Sequence, residues 1–297
     1  METPTVGGHA DASSSDRPAL DAIVHRLACP HCRATPLRRD HRSIRCRAGH
    51  SFDIARQGYV SLLSGRHRHR GDTAAMVAAR ETFLSSDHFR PLRSTITALA
   101  AEHAPRLPEL VVDLAGGIGH YLSSVLDALP GSWGLAVDLS PAALRRASRA
   151  HPRAAAIAAD VWEPLPLAPR TTGVVLSVFG PRTVAEIDRI LTDEGVAIVA
   201  TAGPEHLREL RDRVGTIGVD PRKPDRLRRA FTGFVQVAQH AVRWRLALRH
   251  DEVGALAAMG PSAHHSDPEQ RQRAIEQLPD LVGVTAAMDV TVLRRQR

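Results

Sequence analysis

The stretch Glu109–Ser140, ELVVDLAGGIGHYLSSVLDALPGSWGLAVDLS, constrains this chain more than any other. An apolar run of strand length, Leu110–Leu114, ends in Ala115-Gly116-Gly117-Ile118-Gly119. Tyr121, Leu122, Val125, Leu126 and Leu129 then recur at the spacing of one helical face. A second apolar run, Trp133–Val137, ends in Asp138. Strand, glycine-rich turn, helix, strand and terminal carboxylate in that order describe a βαβ unit that holds a nucleoside. The glycines let the backbone approach a ligand where a Cβ would collide, and a carboxylate roughly 20 residues on reaches ribose hydroxyls.

The glycine pattern narrows the cofactor. Gly117 and Gly119 are followed by His120, Tyr121 and Leu122, so the third glycine of G-x-G-x-x-G is missing. No G-x-x-x-x-G-K-[ST] is present for a triphosphate. The run Asp113–Gly119 instead resembles motif I, D-x-G-x-G-x-G, of the class I S-adenosylmethionine methyltransferases, and Asp138 matches the acidic residue that ends their second strand. Ala115 stands where that motif has its first glycine. If the position needs positive φ, alanine costs roughly 1–2 kcal/mol, enough to weaken cofactor binding without abolishing it.

Beyond Asp138 strands and helices continue to alternate. Ser140 caps and Pro141 opens a helix through Ala150. Strands are expected at Ala154–Ala159, ending at Asp160, at Gly173–Val178 and at Val196–Thr201, with helices at Val184–Leu191 and around His206–Val214. Asp193-Glu194-Gly195 reads as a turn, and the Arg-rich Arg222–Arg229 as a solvated helix face. Phe234–Leu248 and Val284–Leu293 are strand-like. Such alternation calls for a doubly wound α/β sheet with ligands at the carboxyl ends of its strands, where Asp113, Asp138, Asp160 and Phe179 converge.

The N-terminal part is of another kind. Residues 1–20 read as a disordered tail, too polar to bury a core. All three cysteines then fall together, as Cys29-Pro-His-Cys32 and Cys46-Arg-Ala-Gly-His50. Each pair sits on one knuckle turn, and the intervening residues allow a hairpin with Ile44 inside. Cys29, Cys32, Cys46 and His50 suit a tetrahedral zinc ion, structural because four protein ligands leave no open position. His31 and His41 are alternative fourth ligands without the knuckle spacing. The zinc module spans residues 21–66, a helical linker region 67–107, and the sheet domain 108–297. Helices are expected at Thr73–Leu84 and Leu92–Ala101.

A formal charge of +7, from 39 Lys and Arg against 32 Asp and Glu, favours a polyanionic partner. The run Arg66-His67-Arg68-His69-Arg70 could meet phosphates or serve as a solvated linker. No apolar stretch of about 18 residues and no secretory h-region occur, so no membrane association and a cytoplasmic location are expected.

Taken together, C-P-x-C…C-x3-H, F-D-x-A-x-x-G-Y-V-x-L-L from Phe52, G-D-x-x-x-M-x-x-A-R from Gly71, and motif I resemble one family. It is the 23S rRNA (guanine-N1)-methyltransferases of the actinobacterial tylosin-resistance type, and matching segments run from about Leu27 to the C-terminus. The resemblance implies a class I methyltransferase fold, S-adenosylmethionine and structural zinc, a homodimer, and guanine N1 in a 23S rRNA hairpin loop near the peptide exit tunnel as acceptor. It further implies that Phe89, Gly117, Ile118 and His206 contact the cofactor, together with the motif residues Asp113 and Gly119. Asp138 would hold the ribose hydroxyls, and Asp160 would lie near the adenine. The departures are Ala115, Phe89 where some relatives have tyrosine, and Gly180 where alanine is usual. No general base is singled out. Tyr59, Phe179 and Trp162 could stack on the base or simply pack. Two alternatives stay open: a methyltransferase for tRNA or a small molecule, and a zinc-dependent RNA-binding protein without catalysis.

Overall fold

The computed structural model describes residues 18–65, 69–106, 109–214, 222–260 and 267–296. Helix α1 (Pro18–Ile23) and a 3-10 turn lead into a small antiparallel sheet of β1 (Arg38–Asp40), β2 (Ser43–Arg45) and β3 (Ser51–Asp53). Ile44 is wholly buried inside that hairpin, as its sequence suggests. Then follow β4 (Val60–Ser61), α2 (Ala74–Ser85) and α3 (Arg90–His103). The nucleoside unit comes next as β5 (Leu110–Leu114), α4 (His120–Ala128) and β6 (Trp133–Asp138). After it come α5 (Pro141–Ala150), β7 (Ala154–Ala158), β8 (Thr172–Val178), α6 (Val184–Ile190) and β9 (Leu191–Ala202). The chain closes with α7 (Arg208–Val214), α8 (Lys223–Ala230), β10 (Phe234–Leu248), α9 (His250–Ala258), α10 (Pro268–Glu276) and β11 (Val282–Arg295).

One sheet orders these strands β10-β11-β9-β8-β5-β6-β7-β4. Its β9-to-β4 portion is parallel, and β10 and β11 close it antiparallel. Every residue of β5 is buried, because both faces of the sheet are covered. Val111 meets α3 and α4 on one face, whereas Leu110, Val112 and Leu114 join the cluster that contains α1, α6 and the cysteine module. At the head of α5 the Ser140 hydroxyl accepts from Ala143 N at 3.3 Å, with Pro141 behind it, the expected cap.

Several expectations need adjustment. Residues 1–17 of the anticipated tail lie outside the described residues, but Pro18 onward is helical, and Ala19 and Leu20 are buried against the sheet. Asp193–Gly195 is an outward excursion within β9: Leu191 pairs with Thr172, and the ladder resumes only at Val196 opposite Val174. Helices α9 and α10 were not anticipated. Gly254 interrupts the pattern of α9, and α10 is polar apart from Ile275, so packing on α2 and α7 rather than periodicity defines them. Strand β4 pairs in parallel with β7 through Val60–Ile157 and Ser61–Ala158. The segment following the cysteine knuckle thereby supplies an edge strand to the main sheet.

Candidate functional site

Two constellations emerge, and the first is the cysteine knuckle. Cys29, Cys32, Cys46 and His50 offer ligand atoms that all lie within 4.8 Å of one another. A tetrahedral zinc ion would hold two sulfurs about 3.8 Å apart, and a sulfur and a nitrogen about 3.6 Å apart. Cys32 Sγ and Cys46 Sγ are 3.8 Å apart, and His50 Nδ1 lies 3.5 Å from Cys29 Sγ and 3.4 Å from Cys46 Sγ. The residues therefore fit the ion. Burial pushes the Cys46 thiol up, but the His50 ring and the backbone of Ala48 and His50 outweigh it and hold the thiol at about 6, readily a thiolate. His31 stacks on Phe52 at 5.7 Å and 20°, beside the set and not within it, and His41 is not part of the cluster.

The second lies where the parallel strands end. Gly117 and Gly119 adopt φ of 57° and 79°, and the turn carries the chain from β5 into α4. Gly117 N donates to Asp138 Oδ2 at 2.9 Å and Ser140 N to Asp138 Oδ1 at 2.8 Å. Those bonds aim the carboxylate from the end of β6 across the turn and leave lone pairs for hydroxyls. Ile118 packs against Val77, Ala142 and Ala143. At Gly119 a Cβ would lie 3.1 Å from Ala150 Cβ, so close packing of α4 on α5, beyond its φ, demands glycine.

Asp113 lies inside the turn, 1% exposed, and its Oδ2 has no hydrogen-bond partner. Asp160 Oδ1 accepts from Trp162 N at 3.0 Å, while Oδ2 is 2.8 Å from His69 Nδ1. Phe89 is buried at the head of α3, edge-on to Phe83 and Trp244, and a chain of rings runs from it through His206 to Phe179. The structure thus gathers Asp113, Gly117, Ile118, Gly119 and Asp138 around one turn. Asp160 stands at the adjoining strand end, and Phe89 and His206 belong to one aromatic wall.

Sequence reading missed what surrounds the turn. Gly71 runs so close to α5 that a Cβ would meet Ser140 N at 2.5 Å, and the Ser140 hydroxyl donates to Asp72 O at 2.6 Å. Asp72 pairs with Arg80, which also donates to Met259 O at 2.8 Å and lies beside Gly117. The G-D-x-x-x-M-x-x-A-R motif is therefore a strap across the crevice, its Asp and Arg eight residues apart, or about two helical turns. Of the basic run, residues 66–68 lie outside the described residues, and His69 leads into this strap.

Ala115 has φ 52°, so the position does need the left-handed conformation. A Cβ at Gly180 would lie 2.8 Å from Ala115 Cβ and 3.1 Å from Leu114 O. Two of the three departures from the resembled pattern, Ala115 and Gly180, thus form one fitted contact, in which the methyl absent at 180 makes room for the methyl at 115. Gly180→Ala is expected to overpack this contact and cost about 1–3 kcal/mol in stability. Ala115→Gly in the same chain should restore most of it. Denaturant unfolding of both single variants and the double variant checks this, and purely additive effects would disprove the coupling.

A family model described as "RlmA, N-terminal", a zinc ribbon, matches residues 27–70. The 23S rRNA (guanine(748)-N(1))-methyltransferase of Streptomyces fradiae is 44% identical, the match covering 92% of this chain and 98% of the relative. A 23S rRNA (guanine-N1)-methyltransferase relative from Micromonospora griseorubida is 46% identical, covering 90% of this chain and 96% of its own. Among solved structures, a Bacillus halodurans methyltransferase superposes with TM-score 0.50 at 16% identity, covering 69% of this chain and 100% of its own. A chain from a Haloferax volcanii complex between the Trm112 activator and a methyltransferase gives 0.51 at 19%, covering 77% and 100%. These superpositions establish the methyltransferase fold that the resemblance implies. On the strength of the two sequence relatives, aligned over at least nine-tenths of its length, the chain belongs to the 23S rRNA (guanine-N1)-methyltransferase family.

Proposed function

We propose that this chain methylates N1 of a guanine in a 23S rRNA hairpin loop near the peptide exit tunnel, using S-adenosylmethionine, and so protects ribosomes from tylosin-type macrolides. The observation that carries the reading is the joining of the two constellations. The cysteine module packs on the sheet that bears the glycine turn, and Arg33 of its knuckle donates to Pro164 O, in the loop beyond Asp160, at 3.2 Å. A zinc-held RNA-recognition module is thereby fixed against the nucleoside crevice. A homodimer, which the resemblance implies, is part of the same reading. No described helix is long and apolar enough to cross a membrane.

In this reading the cofactor supplies an electrophilic methyl group. Gly117, Ile118 and Gly119 form the floor of its site, and Asp138 accepts from the ribose hydroxyls. Asp160 faces the adenine, Asp113 supports the turn from beneath, and Phe89 and His206 wall the site against water. Zinc holds Cys29, Cys32, Cys46 and His50 in one knuckle pair. The chain's part in the chemistry is alignment, which supplies much of the acceleration in a single displacement.

Primer extension on 23S rRNA from cells with and without the protein tests the reading, because N1-methylguanine blocks reverse transcriptase. A new stop at a hairpin guanine is expected, and its absence in cells that make folded protein would refute the assignment. Asp138→Ala should weaken S-adenosylmethionine binding by about 1.5–3 kcal/mol, the range for hydrogen bonds to a charged group. Calorimetric titration decides that point, and unchanged affinity would remove Asp138 from the ribose site.

A further inference from the structure

Phe179 is the first residue beyond β8, and it is held with φ 58°, a conformation uncommon for a bulky side chain. Its N–H donates to Ala200 O at 3.0 Å, and the next residue, Gly180, is wedged on Leu114 and Ala115 of the glycine turn. This backbone stands the ring at the cofactor turn, 40% exposed, where ordinary packing would bury it. One side is backed by His206, near parallel at 12° with centroids 6.3 Å apart. Strain of this kind persists only where the surroundings over-determine it, and it concentrates at ligand sites.

Three residues on, Arg182 Nη1 donates to Ser177 Oγ at 2.9 Å. Among the described residues that is its one hydrogen bond, and no carboxylate pairs with it. Arg189 and Arg153 show the usual arrangement for partly buried arginines: the first grips Glu186, the second three carbonyls. Arg182 keeps most of its donors uncommitted, although burial with no compensating charge pushes its pKa down. Thr183 Oγ1 ties this loop to Val161 O at 2.9 Å. Trp162, 51% exposed, and Pro164, the partner of Arg33, follow on the same rim. The rim therefore runs from the cysteine knuckle to Phe179.

We propose that the loop Phe179-Gly180-Pro181-Arg182 is the pocket for the acceptor base, with Phe179 as the face on which an unstacked guanine lies and Arg182 as the donor to its O6 and N7. The inference rests on the reading under Proposed function and names the residues that select the base. Guanine presents two adjacent acceptors, O6 and N7, which a guanidinium matches bidentately, whereas adenine presents a donor amine in place of O6. Gripping that edge leaves N1 pointing outward. When the N1–H bond breaks and its proton passes to water, the electron pair stays on the base and charge spreads to O6. Arg182 then faces the oxygen on which charge develops.

The test uses the full zinc-loaded chain and synthetic RNA hairpins carrying either guanine or 7-deazaguanine, which lacks the N7 acceptor, at the target position. The wild-type chain should lose about tenfold in kcat/KM on 7-deazaguanine. Arg182→Gln should lose roughly 10–100-fold on guanine, mainly in kcat, and be indifferent to the 7-deaza change. Phe179→Ala should raise KM for the hairpin about tenfold while Phe179→Tyr retains activity. Cofactor affinity should be unchanged in Arg182→Gln. A variant at 182 that keeps the wild-type 7-deaza penalty would show a merely structural arginine and overturn the proposal. If Arg182→Gln does not fold, the wild-type chain still decides: equal rates on the two hairpins overturn the inference alone. A cofactor-binding wild-type chain that methylates no hairpin guanine overturns the parent reading, and this one with it.

Discussion

Replacing Cys46 by serine is expected to release the metal and lower the melting temperature by roughly 10 °C or more. Structural zinc contributes apparent free energies of about 10–16 kcal/mol in isolated modules. Each kcal/mol shifts the midpoint by about 2–4 °C in a chain of this order of size. Less than the full amount should appear, because packing retains part of the module after the metal leaves. The effect should still reach the sheet domain. Cys29, Leu37, Ile44, Cys46 and Phe52 belong to the same buried cluster as Leu135, Ile157, Leu165 and Leu167, so a loosened knuckle uncovers one face of the central sheet. Metal analysis should find one zinc per chain in protein prepared without chelator. Metal-free wild-type protein, or a Cys46→Ser variant that melts with the wild type, would disprove the structural role.

Asp113→Asn is expected to stabilise the cofactor-free chain by a few kcal/mol at pH 8 and to flatten its pH dependence. Burial, with Asp138 nearby, pushes the Asp113 carboxyl up to about 8 from an ordinary 3.8. Between those values the folded chain keeps a proton that the unfolded chain releases, so stability falls as pH rises. The contribution of the neutral acid is fully present below about pH 4 and is lost as pH approaches and passes 8. A shift from 3.8 to about 8 corresponds to about 6 kcal/mol at most. Asparagine keeps the shape and never ionises. Urea unfolding at pH 5 through 8 reads the difference between the two chains. A constant difference would show that Asp113 is already ionised within the fold.

What the sequence made legible is what lies close together along the chain. Leu110–Leu114 is a strand with the anticipated ends, the Ser140–Pro141 cap forms, and Phe234–Leu248 is one long strand. Each is set by an apolar period, a cap or a glycine over a few residues. The zinc ligands were legible for the same reason, since two knuckle spacings and one intervening hairpin bring four side chains together. Helices α9 and α10 left no such imprint, because their few apolar residues gain meaning only against the elements they touch.

By itself, then, the sequence determined the alternation of strands and helices from β5 to α7, the glycine turn around Gly117 and Gly119, the carboxylate of Asp138 beside it and the Cys3His set. Only the tertiary structure decided which distant surfaces meet. It placed Gly180 against Ala115 and so turned two apparent defects into one fitted contact. It brought His69 to Asp160, laid the Gly71–Arg80 strap over the crevice and joined β4 to the edge of the main sheet. It also set the Arg182 guanidinium on Ser177 Oγ, three residues beyond an exposed phenyl ring, with no carboxylate to answer it among the described residues. The physical reason is common to all of these. A pattern along the chain fixes the direction in which a side chain leaves its own element, whereas its partner, its burial and its unspent hydrogen bonds depend on which faces pack.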